Sequence, residues 1–229
     1  GFRFGAYAEY ICLPAEPGDA QGTFARKPDN LSHPEAAAVP TAGLEALHFI
    51  KKAGIREGKN VLIIGGGGSI GTSAIQLAKH FGAQVTAVDS TEKLEMMRSL
   101  GADRVIDYTR EEYLNTDESY DLIIDVVGRR DVARRLRLIK PNGWYFLAYA
   151  RLFHILLSMW VSLISKKKFK IEASSQDKQD LLYLKDLIEA GKLRPVIDKT
   201  YSLGQIPEAH RYAESGQKKG NVVITMNKP

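Results

Sequence analysis

The feature that most constrains this chain is a glycine-rich turn between an apolar strand and a helix. Four apolar residues, 61–64, have the length and the β-branched content of a buried strand. They lead into residues 65–71, five of which are glycine, and apolar residues at helical spacing follow as far as Phe81. A second apolar run, 85–88, ends in Asp89, 18 residues after the last glycine. This order of strand, glycine turn, helix, strand and acid is typical of a dinucleotide-binding unit.

Each part of this unit has a physical task. We expect Gly66 to form the tight turn, Gly68 to let the backbone approach a pyrophosphate, and Gly71 to let the helix pack close to the strand. The start of the helix, at Ser69 and Ile70, offers unpaired N–H groups and a partial positive charge to phosphates. These five residues are therefore candidates for cofactor binding.

Other interpretations of the glycine turn differ in how well they fit. A P-loop is excluded, because no Lys-Ser or Lys-Thr pair follows the glycines. A glycine-rich turn in an ordinary strand–helix–strand unit without a nucleotide is the structural alternative. A methyltransferase site for S-adenosylmethionine stays open on this stretch alone, since that ligand also uses a glycine turn and an acid after the second strand.

The chain after Asp89 repeats the alternation of helices and strands. We predict strands at 105–108 and 120–128, with a helix at 90–100 before them. Pro141-Asn142-Gly143 is expected to turn into a further strand at 144–148. Repeated alternation with short connections predicts an α/β protein with a parallel, doubly wound Rossmann sheet.

The remaining segments complete the prediction. Residues 1–13 alternate like a bent pair of strands, and the polar residues 110–119 are expected to form a helix and a loop. Ser32, with Glu35 three residues on, predicts a capping box at a helix start. The basic helix at 129–138 is expected to present a solvated face.

Composition and charge narrow the class of function. The net charge of +5 comes with no interleaved aromatic and basic stripe, so we expect no nucleic-acid partner. The single cysteine, Cys12, allows no internal disulfide, and the sequence does not open with a secretory signal. We therefore expect a cytoplasmic protein. The five histidines show no zinc-site spacing. The most apolar stretch, 152–164, is shorter than the ~20 residues that cross a bilayer, so we expect no membrane partner and interpret it as a cover for the site or a subunit contact.

Several segments also occur together in the order of a known family. They are AAVPTAG at 37–43, the glycine turn at 61–71 with QLAK at 76–79, LGAD at 100–103, the strand 120–128, KPNG at 140–143, GKL at 191–193, IPEA at 206–209 and KGNVV at 219–223. On these segments the chain resembles the medium-chain dehydrogenase/reductase superfamily, in its zinc-independent branch of quinone-oxidoreductase-like and alcohol-dehydrogenase-like proteins.

The resemblance implies a Rossmann domain inserted in a chaperonin-10-like (GroES-like) β-barrel domain. Residues 1–34 would end the barrel domain, 35–174 would form the NAD(P)-binding domain, and 175–229 would return to the barrel. Most of the barrel, which members carry ahead of the segment that matches Gly1, is absent, so we expect a truncated chain without much of the substrate pocket. Zinc members place a cysteine where Ala38 stands, and we therefore expect no metal.

The activity that the resemblance implies is hydride transfer between nicotinamide and a carbonyl, quinone or activated alkene without zinc. Thr41 would border the nicotinamide, and Ala148 and Tyr149 would end the strand that faces it. Thr41 and Tyr149 are weak catalytic candidates. The alternative is a cofactor-binding fragment without turnover, because the barrel is missing. A homodimer is expected, through the strand 144–148 or the apolar helix after it.

The resemblance adds three cofactor residues, and the choice of cofactor depends on the acid. Val127 and Gly128 would form a loop over the adenosine side, and Asn221 stands where the family has a polar residue near the cofactor. Asp89 is expected to accept hydrogen bonds from both ribose hydroxyls and to repel a 2′-phosphate, which favours NAD(H). NADP(H) is the alternative, because Ser90, Thr91 and Lys93 offer phosphate contacts.

Overall fold

The computed structural model describes residues 7–12, 23–128, 131–148, 161, 165–172 and 177–226. Its main strands are β1 (Asn60–Ile64), β2 (Gln84–Asp89), β3 (Arg104–Asp107), β4 (Tyr120–Asp125), β5 (Ile139–Leu147) and β6 (Lys168–Lys170). They form one parallel sheet in the order β3-β2-β1-β4-β5-β6. The strand order reverses between β1 and β4, so the carboxyl ends of these two strands define the switch point where ligands bind in such sheets. The doubly wound Rossmann sheet is thus confirmed.

Seven α-helices, two single-turn 3-10 helices (Thr91–Lys93 and Leu203–Gln205) and a second small sheet accompany these strands in the described part of the chain. The helices are α1 (His33–Ala37), α2 (Pro40–Lys52), α3 (Ser69–His80), α4 (Leu94–Ser99), α5 (Val132–Arg137), α6 (Lys178–Glu189) and α7 (Ile206–Glu214). The second sheet is a parallel pair of β7 (Ile197–Ser202) and β8 (Asn221–Thr225).

The central strand β1 is apolar along its length because both of its faces are covered. Val61 and Ile63 belong to the core that α2, α3 and α6 share with the sheet. Leu62 and Ile64 belong to the core on the opposite face, with α5. A strand buried on both faces appears in sequence as a continuous apolar run rather than an alternation, which is why this strand could be predicted.

Local signals in the sequence also set the ends of helices. The capping box at Ser32 and Glu35 is confirmed, with both reciprocal hydrogen bonds present at the start of α1. Pro40 begins α2 rather than continuing α1, since proline lacks the N–H that a helix interior needs.

The structure differs from the sequence-based prediction in four segments. Residues 7–12 carry no strand, and residues 110–119 form turns without a helix. Pro141–Gly143 lies inside β5 rather than in a turn before it, with Asn142 at a φ of 64°. The basic helix α5 is not solvated throughout, because Arg135 is buried.

Some predicted features lie outside the described residues. The apolar stretch 152–164 does so apart from Val161, which is buried. Among the residues that are described, no helix has the length and apolar character to span a membrane.

Asp121, near the amino end of β4, ties three parts of the sheet together. Its Oδ1 accepts a hydrogen bond from Lys59 Nζ at 2.9 Å, and its Oδ2 accepts from Lys140 Nζ at 2.7 Å and from the backbone N–H of Asn60 at 3.0 Å. Burial raises the pKa of this carboxyl, but the Asn60 N–H and the two ammonium groups outweigh burial and lower the pKa to about 2.

We expect Asp121→Asn to lower the free energy of unfolding by about 1–2 kcal/mol at pH 7. A carboxyl whose pKa is lower in the folded state stabilises the protein above its unfolded pKa of about 3.9, and this contribution is lost as the pH falls towards the folded value. The difference between wild type and variant should therefore shrink between about pH 4 and pH 2. Urea denaturation across this range measures it, and a difference that does not change with pH would contradict the assignment.

Candidate functional site

A cavity of about 1360 Å³ opens at the carboxyl ends of β1, β2 and β4, where the strand order reverses. Eight of the residues that the sequence predicted for cofactor binding line it, namely Thr41, Gly68, Ser69, Ile70, Asp89, Lys93, Val127 and Asn221. The other five do not, namely Gly66, Gly71, Ser90, Gly128 and Ala148. Tyr149 lies outside the described residues.

The glycine loop, residues 65–68, forms the floor of this cavity. The Gly68 N–H donates to Gly65 O at 3.1 Å and closes a tight turn that contains Gly66, and Gly65 takes the left-handed conformation at a φ of 83°. Gly66 is also closely packed, because a Cβ there would lie 2.7 Å from Met97 Sδ and 3.0 Å from Ala87 Cβ. Around Gly68, the nearest atom to an added Cβ would be Gly65 O at 3.4 Å, so the loop is open on that side.

Gly71 brings α3 against the glycine loop. A Cβ at this position would lie 2.4 Å from the carbonyl oxygen of Gly65 and 2.6 Å from Gly66 Cα. The helix therefore packs on the turn backbone to backbone, as the sequence analysis predicted. Its first turn points free N–H groups and the positive end of its dipole towards the cavity.

Asp89 holds the glycine loop from the tip of β2. Its Oδ2 accepts a hydrogen bond from the N–H of Gly67 at 2.9 Å, and its Oδ1 accepts from the N–H of Ser90 at 2.8 Å. Lys93 Nζ lies 3.2 Å from Oδ1, and both side chains are 8% exposed. Both oxygens of the Asp89 carboxylate thus accept hydrogen bonds from within the protein, and Lys93 offsets its negative charge.

A segment far away in sequence closes over the same loop. We call residues 216–221 the C-terminal clasp. The N–H of Gly220 donates to Gly67 O at 2.8 Å, and Ser69 Oγ donates to Gly220 O at 2.9 Å. Lys93 Nζ donates to the carbonyl oxygen of Gly216 at 2.9 Å. This contact could not be predicted from the sequence, because no local pattern indicates that two segments 151 residues apart come together.

The clasp also brings a second lysine to the glycine loop. Lys218 Nζ donates to Ser69 Oγ and to Gly220 O, each at 2.7 Å, and lines the cavity. Burial and the neighbouring charge of Lys93 lower the pKa of Lys218. An anion placed near Ser69 would relieve the repulsion between these two ammonium groups.

The opposite wall of the cavity follows β4. Val127 is 39% exposed and lines the cavity, and Val126 packs over Gly65. Asp125, at the end of the strand, is buried and accepts hydrogen bonds from the N–H groups of Val127 and Gly128. The sequence offered one signal for this residue, an acid that directly follows the apolar run Leu122–Ile124 at the carboxyl end of the strand.

The remaining predicted residues have different surroundings. Thr41 is exposed in the first turn of α2 and faces the cavity. Asn221 Nδ2 donates to Val196 O at 3.0 Å, so this amide supports the clasp as well as lining the cavity. Tyr108, which the sequence analysis did not select, lines the cavity with 57% of its surface exposed.

The described residues contain no group of three or more His, Cys, Asp and Glu side chains that could hold a metal ion. Ala38, which stands where zinc members have a cysteine, is buried at the cavity wall. The absence of zinc stays a prediction.

A six-stranded Rossmann sheet with a glycine loop at its switch point defines a dinucleotide-binding fold, and comparison with known proteins identifies its family. The sequence model of the zinc-binding dehydrogenase family matches residues 100–224, and that of the C-terminal domain of alanine dehydrogenase/PNT matches residues 42–130. The chain belongs to the zinc-binding dehydrogenase family, in the quinone-oxidoreductase-like branch of the medium-chain dehydrogenase/reductase superfamily.

Individual relatives agree with this assignment. The chain is 36% identical over 226 residues to 2-methylene-furan-3-one reductase of Solanum lycopersicum and 32% identical over 226 residues to the chloroplastic NADPH-dependent alkenal/one oxidoreductase of Arabidopsis thaliana. Each alignment covers 97% of this chain and 53% of the relative, so the chain spans about half the length of these proteins. The quinone oxidoreductase of Coxiella burnetii has a similar structure, with a TM-score of 0.82, 28% identity, and coverage of 89% of this chain and 64% of that one.

Proposed function

We propose that this protein is an NAD(P)H-dependent oxidoreductase that transfers a hydride between nicotinamide and a carbonyl, a quinone or an activated alkene. The observation that carries the proposal is the cavity at the switch point, with the glycine loop and the start of α3 as its floor. The relatives are named as reductases of a furanone and of alkenals and enones, and the structural neighbour as a quinone oxidoreductase. These names favour an activated alkene or a quinone.

The residues present fit a nicotinamide dinucleotide. The open side of Gly68, the start of α3 and the ammonium group of Lys218 would hold the pyrophosphate. Val127, which follows β4, and Thr41, in the first turn of α2, also line the cavity and would contact the rest of the cofactor. When bound, the nicotinamide supplies or accepts the hydride, and the chain orients it and excludes water around it.

The finer choice of cofactor that we propose is NADP(H). Asp89 is held by Gly67, Ser90 and Lys93, so its carboxylate is less available to ribose hydroxyls than the sequence suggested. Lys93 and Lys218 place two ammonium groups against the one carboxylate of Asp89 at this end of the cavity, and the net positive charge suits a 2′-phosphate. One relative is named as NADPH-dependent. The sequence-based preference for NAD(H), through Asp89, is the competing prediction.

The proposal is tested by thermal shift with NADPH, NADH and S-adenosylmethionine at matched concentrations. A ligand present at 100 times its dissociation constant stabilises the folded state by about 2.7 kcal/mol, which a melting curve resolves. We expect stabilisation by both nicotinamide cofactors and the larger shift with NADPH. Stabilisation by S-adenosylmethionine alone would instead support the methyltransferase alternative.

Lys93→Met tests the cofactor preference directly. We expect NADPH affinity to fall about tenfold, or about 1.4 kcal/mol, and NADH affinity to change much less, because only NADPH carries the 2′-phosphate. Lys192→Met is the control, since Lys192 is an exposed lysine that does not line the cavity. Equal losses for both cofactors would show that Lys93 supports the glycine loop without selecting the 2′-phosphate.

A second candidate function is cofactor binding without turnover. It is favoured by the extent of the match, because the chain spans only 53% of the length of each of these relatives and the cavity for the cofactor lies within that span. The division into 1–34, 35–174 and 175–229 belongs to the same proposal. Oxidation of NADPH by a quinone or an enone distinguishes the two functions, since a binding fragment would stabilise with NADPH and show no turnover.

Partner, compartment and metal content are proposed from the sequence alone. We propose a homodimer that acts on small molecules in the cytoplasm without zinc. The apolar stretch 152–164 supports the dimer, and Ala38 in place of a cysteine supports the absence of zinc. Sedimentation of a monomer, or stoichiometric zinc in purified protein, would contradict these proposals.

A further inference from the structure

We infer that Asp125 is a positioning residue for the cofactor, because its carboxylate binds the backbone of residues 127 and 128 and so fixes the cavity wall at Val126 and Val127. This inference rests on the proposed function, since it assigns a binding task to a residue that does not itself line the cavity. Three features support it: the hydrogen bonds of Asp125, the position of the cavity wall beside β1, and the free-energy cost of burying the Asp125 charge.

The Asp125 carboxylate is fully buried and divides its two oxygens between two tasks. Oδ1 accepts from the N–H groups of Val127 at 3.0 Å and Gly128 at 2.9 Å. Oδ2 accepts from Arg135 Nη1 at 2.6 Å and from the hydroxyl of Tyr145 at 2.5 Å. One oxygen therefore shapes the wall, and the other is fixed by α5 and β5.

The wall that Asp125 shapes touches the glycine loop directly. Asp125 is the register partner of Ile64, and the N–H of Val126 donates to Ile64 O at 3.1 Å. The Val126 side chain occupies the space beside Gly65, where a Cβ would lie 2.5 Å from Val126 Cγ2. A shift of the wall would therefore change the shape of the cavity at the switch point.

Arg135 extends the same hydrogen-bond network to another cavity segment. Its Nε donates to the hydroxyl of Tyr113 at 3.2 Å, and Tyr113 lines the cavity. Burial lowers the pKa of Arg135, but the charge and hydrogen bond of Asp125, together with Tyr113 and Tyr145, outweigh burial and raise it. Burial and Asp125 also raise the pKa of Tyr145, so its hydroxyl stays a donor. Arg135 thus stays charged and Tyr145 stays neutral over the physiological range of pH.

A buried ion pair of this kind is poorly explained by stability alone. Burying two charges costs free energy that their attraction does not always recover, and well-packed apolar residues are often as stabilising. What apolar residues would not supply is an acceptor for two backbone N–H groups in the wall. The geometry therefore assigns the charge to shaping the cavity.

The experiment compares three variants of the 229-residue chain by cofactor affinity and by melting temperature. Asp125→Asn removes the charge, Tyr145→Phe removes one hydrogen bond to the same carboxylate, and Asp121→Asn is the control. Asp121 is on the same strand and is also paired with basic side chains, but it lies away from the cavity. Fluorescence titration with NADPH gives the dissociation constant of the folded protein.

We expect Asp125→Asn to raise the NADPH dissociation constant at least about tenfold and Tyr145→Phe to raise it about threefold. The control should bind within about twofold of wild type even though its melting temperature falls. Amide hydrogen exchange at Val127 and Gly128 should be faster in Tyr145→Phe than in wild type. A structural role alone would lower the melting temperature without changing affinity or exchange in the wall.

Each other outcome has a definite meaning. If wild type binds NADPH and both cavity variants bind as tightly, the inference is overturned and the proposed function stands. If wild type binds no nicotinamide cofactor, the proposed function fails and the inference fails with it. If Asp125→Asn does not fold, Tyr145→Phe decides, because it keeps the ion pair with Arg135 intact.

Discussion

Gly71→Ala is expected to destabilise the protein by about 3 kcal/mol or more and to abolish cofactor binding. The added methyl group would lie 2.4 Å from the carbonyl oxygen of Gly65 and 2.6 Å from Gly66 Cα, far inside contact distance. Both neighbours are backbone atoms of the glycine loop, so no flexible side chain can move aside. Either α3 lifts away from β1 or the loop changes shape, and both changes disrupt the floor of the cavity.

Chemical denaturation with urea measures the loss, and NADPH titration follows the site. Gly204→Ala is the matched control, because no atom lies within 4 Å of an added Cβ at that position. We expect this control to stay within about 0.5 kcal/mol of wild type. Equal stability of the two variants would show that α3 does not pack on the glycine loop as described.

Arg135→Leu is expected to cost about 3–5 kcal/mol of stability, because it leaves the buried carboxylate of Asp125 without its counter-charge. The Arg135 side chain is 9% exposed and Asp125 is fully buried, so little water reaches this ion pair in the folded protein. The hydrogen bond from Arg135 to Tyr113 is lost in the same variant.

The neighbouring arginine gives the control for this prediction. Arg134 is also on α5, but its side chain is 38% exposed, and its ion pairs with Glu112 and Asp131 span 3.5 Å and 3.9 Å. Arg134→Leu should therefore cost less than about 1 kcal/mol. Urea denaturation at pH 7 compares the two variants, and similar losses of stability for both would refute a special role for the buried pair.

The sheet could be predicted because its signals are local. A few neighbouring residues are enough to predict the strand β1, the glycine turn that follows it and the capping box at Ser32. Where the prediction was wrong, a longer-range interaction decided. Pro141–Gly143 was expected to turn, but its neighbours pair with β4 and hold it inside β5.

The sequence indicated several residues that line the cavity, but not the residues that hold them in place. The glycine loop, Asp89, Val127 and Thr41 line one cavity, as the pattern and the family resemblance indicated. The basic pattern of α5 predicted a solvated face. Sequence periodicity could not show that Arg135 pairs with a buried acid on another strand. Lys218 carried no local signal at all, since its position is set by contacts across the whole chain.

The C-terminal clasp has a consequence for the timing of biosynthesis. Ser69 and Gly220 are 151 residues apart, so the glycine loop leaves the ribosome long before its clasp is made. Parts of a chain made earlier can fold first, whereas contacts distant in sequence form late. During synthesis, the chain therefore contains the glycine loop before it contains Lys218. Bound cofactor can stabilise the complete site only after residue 221 has been added.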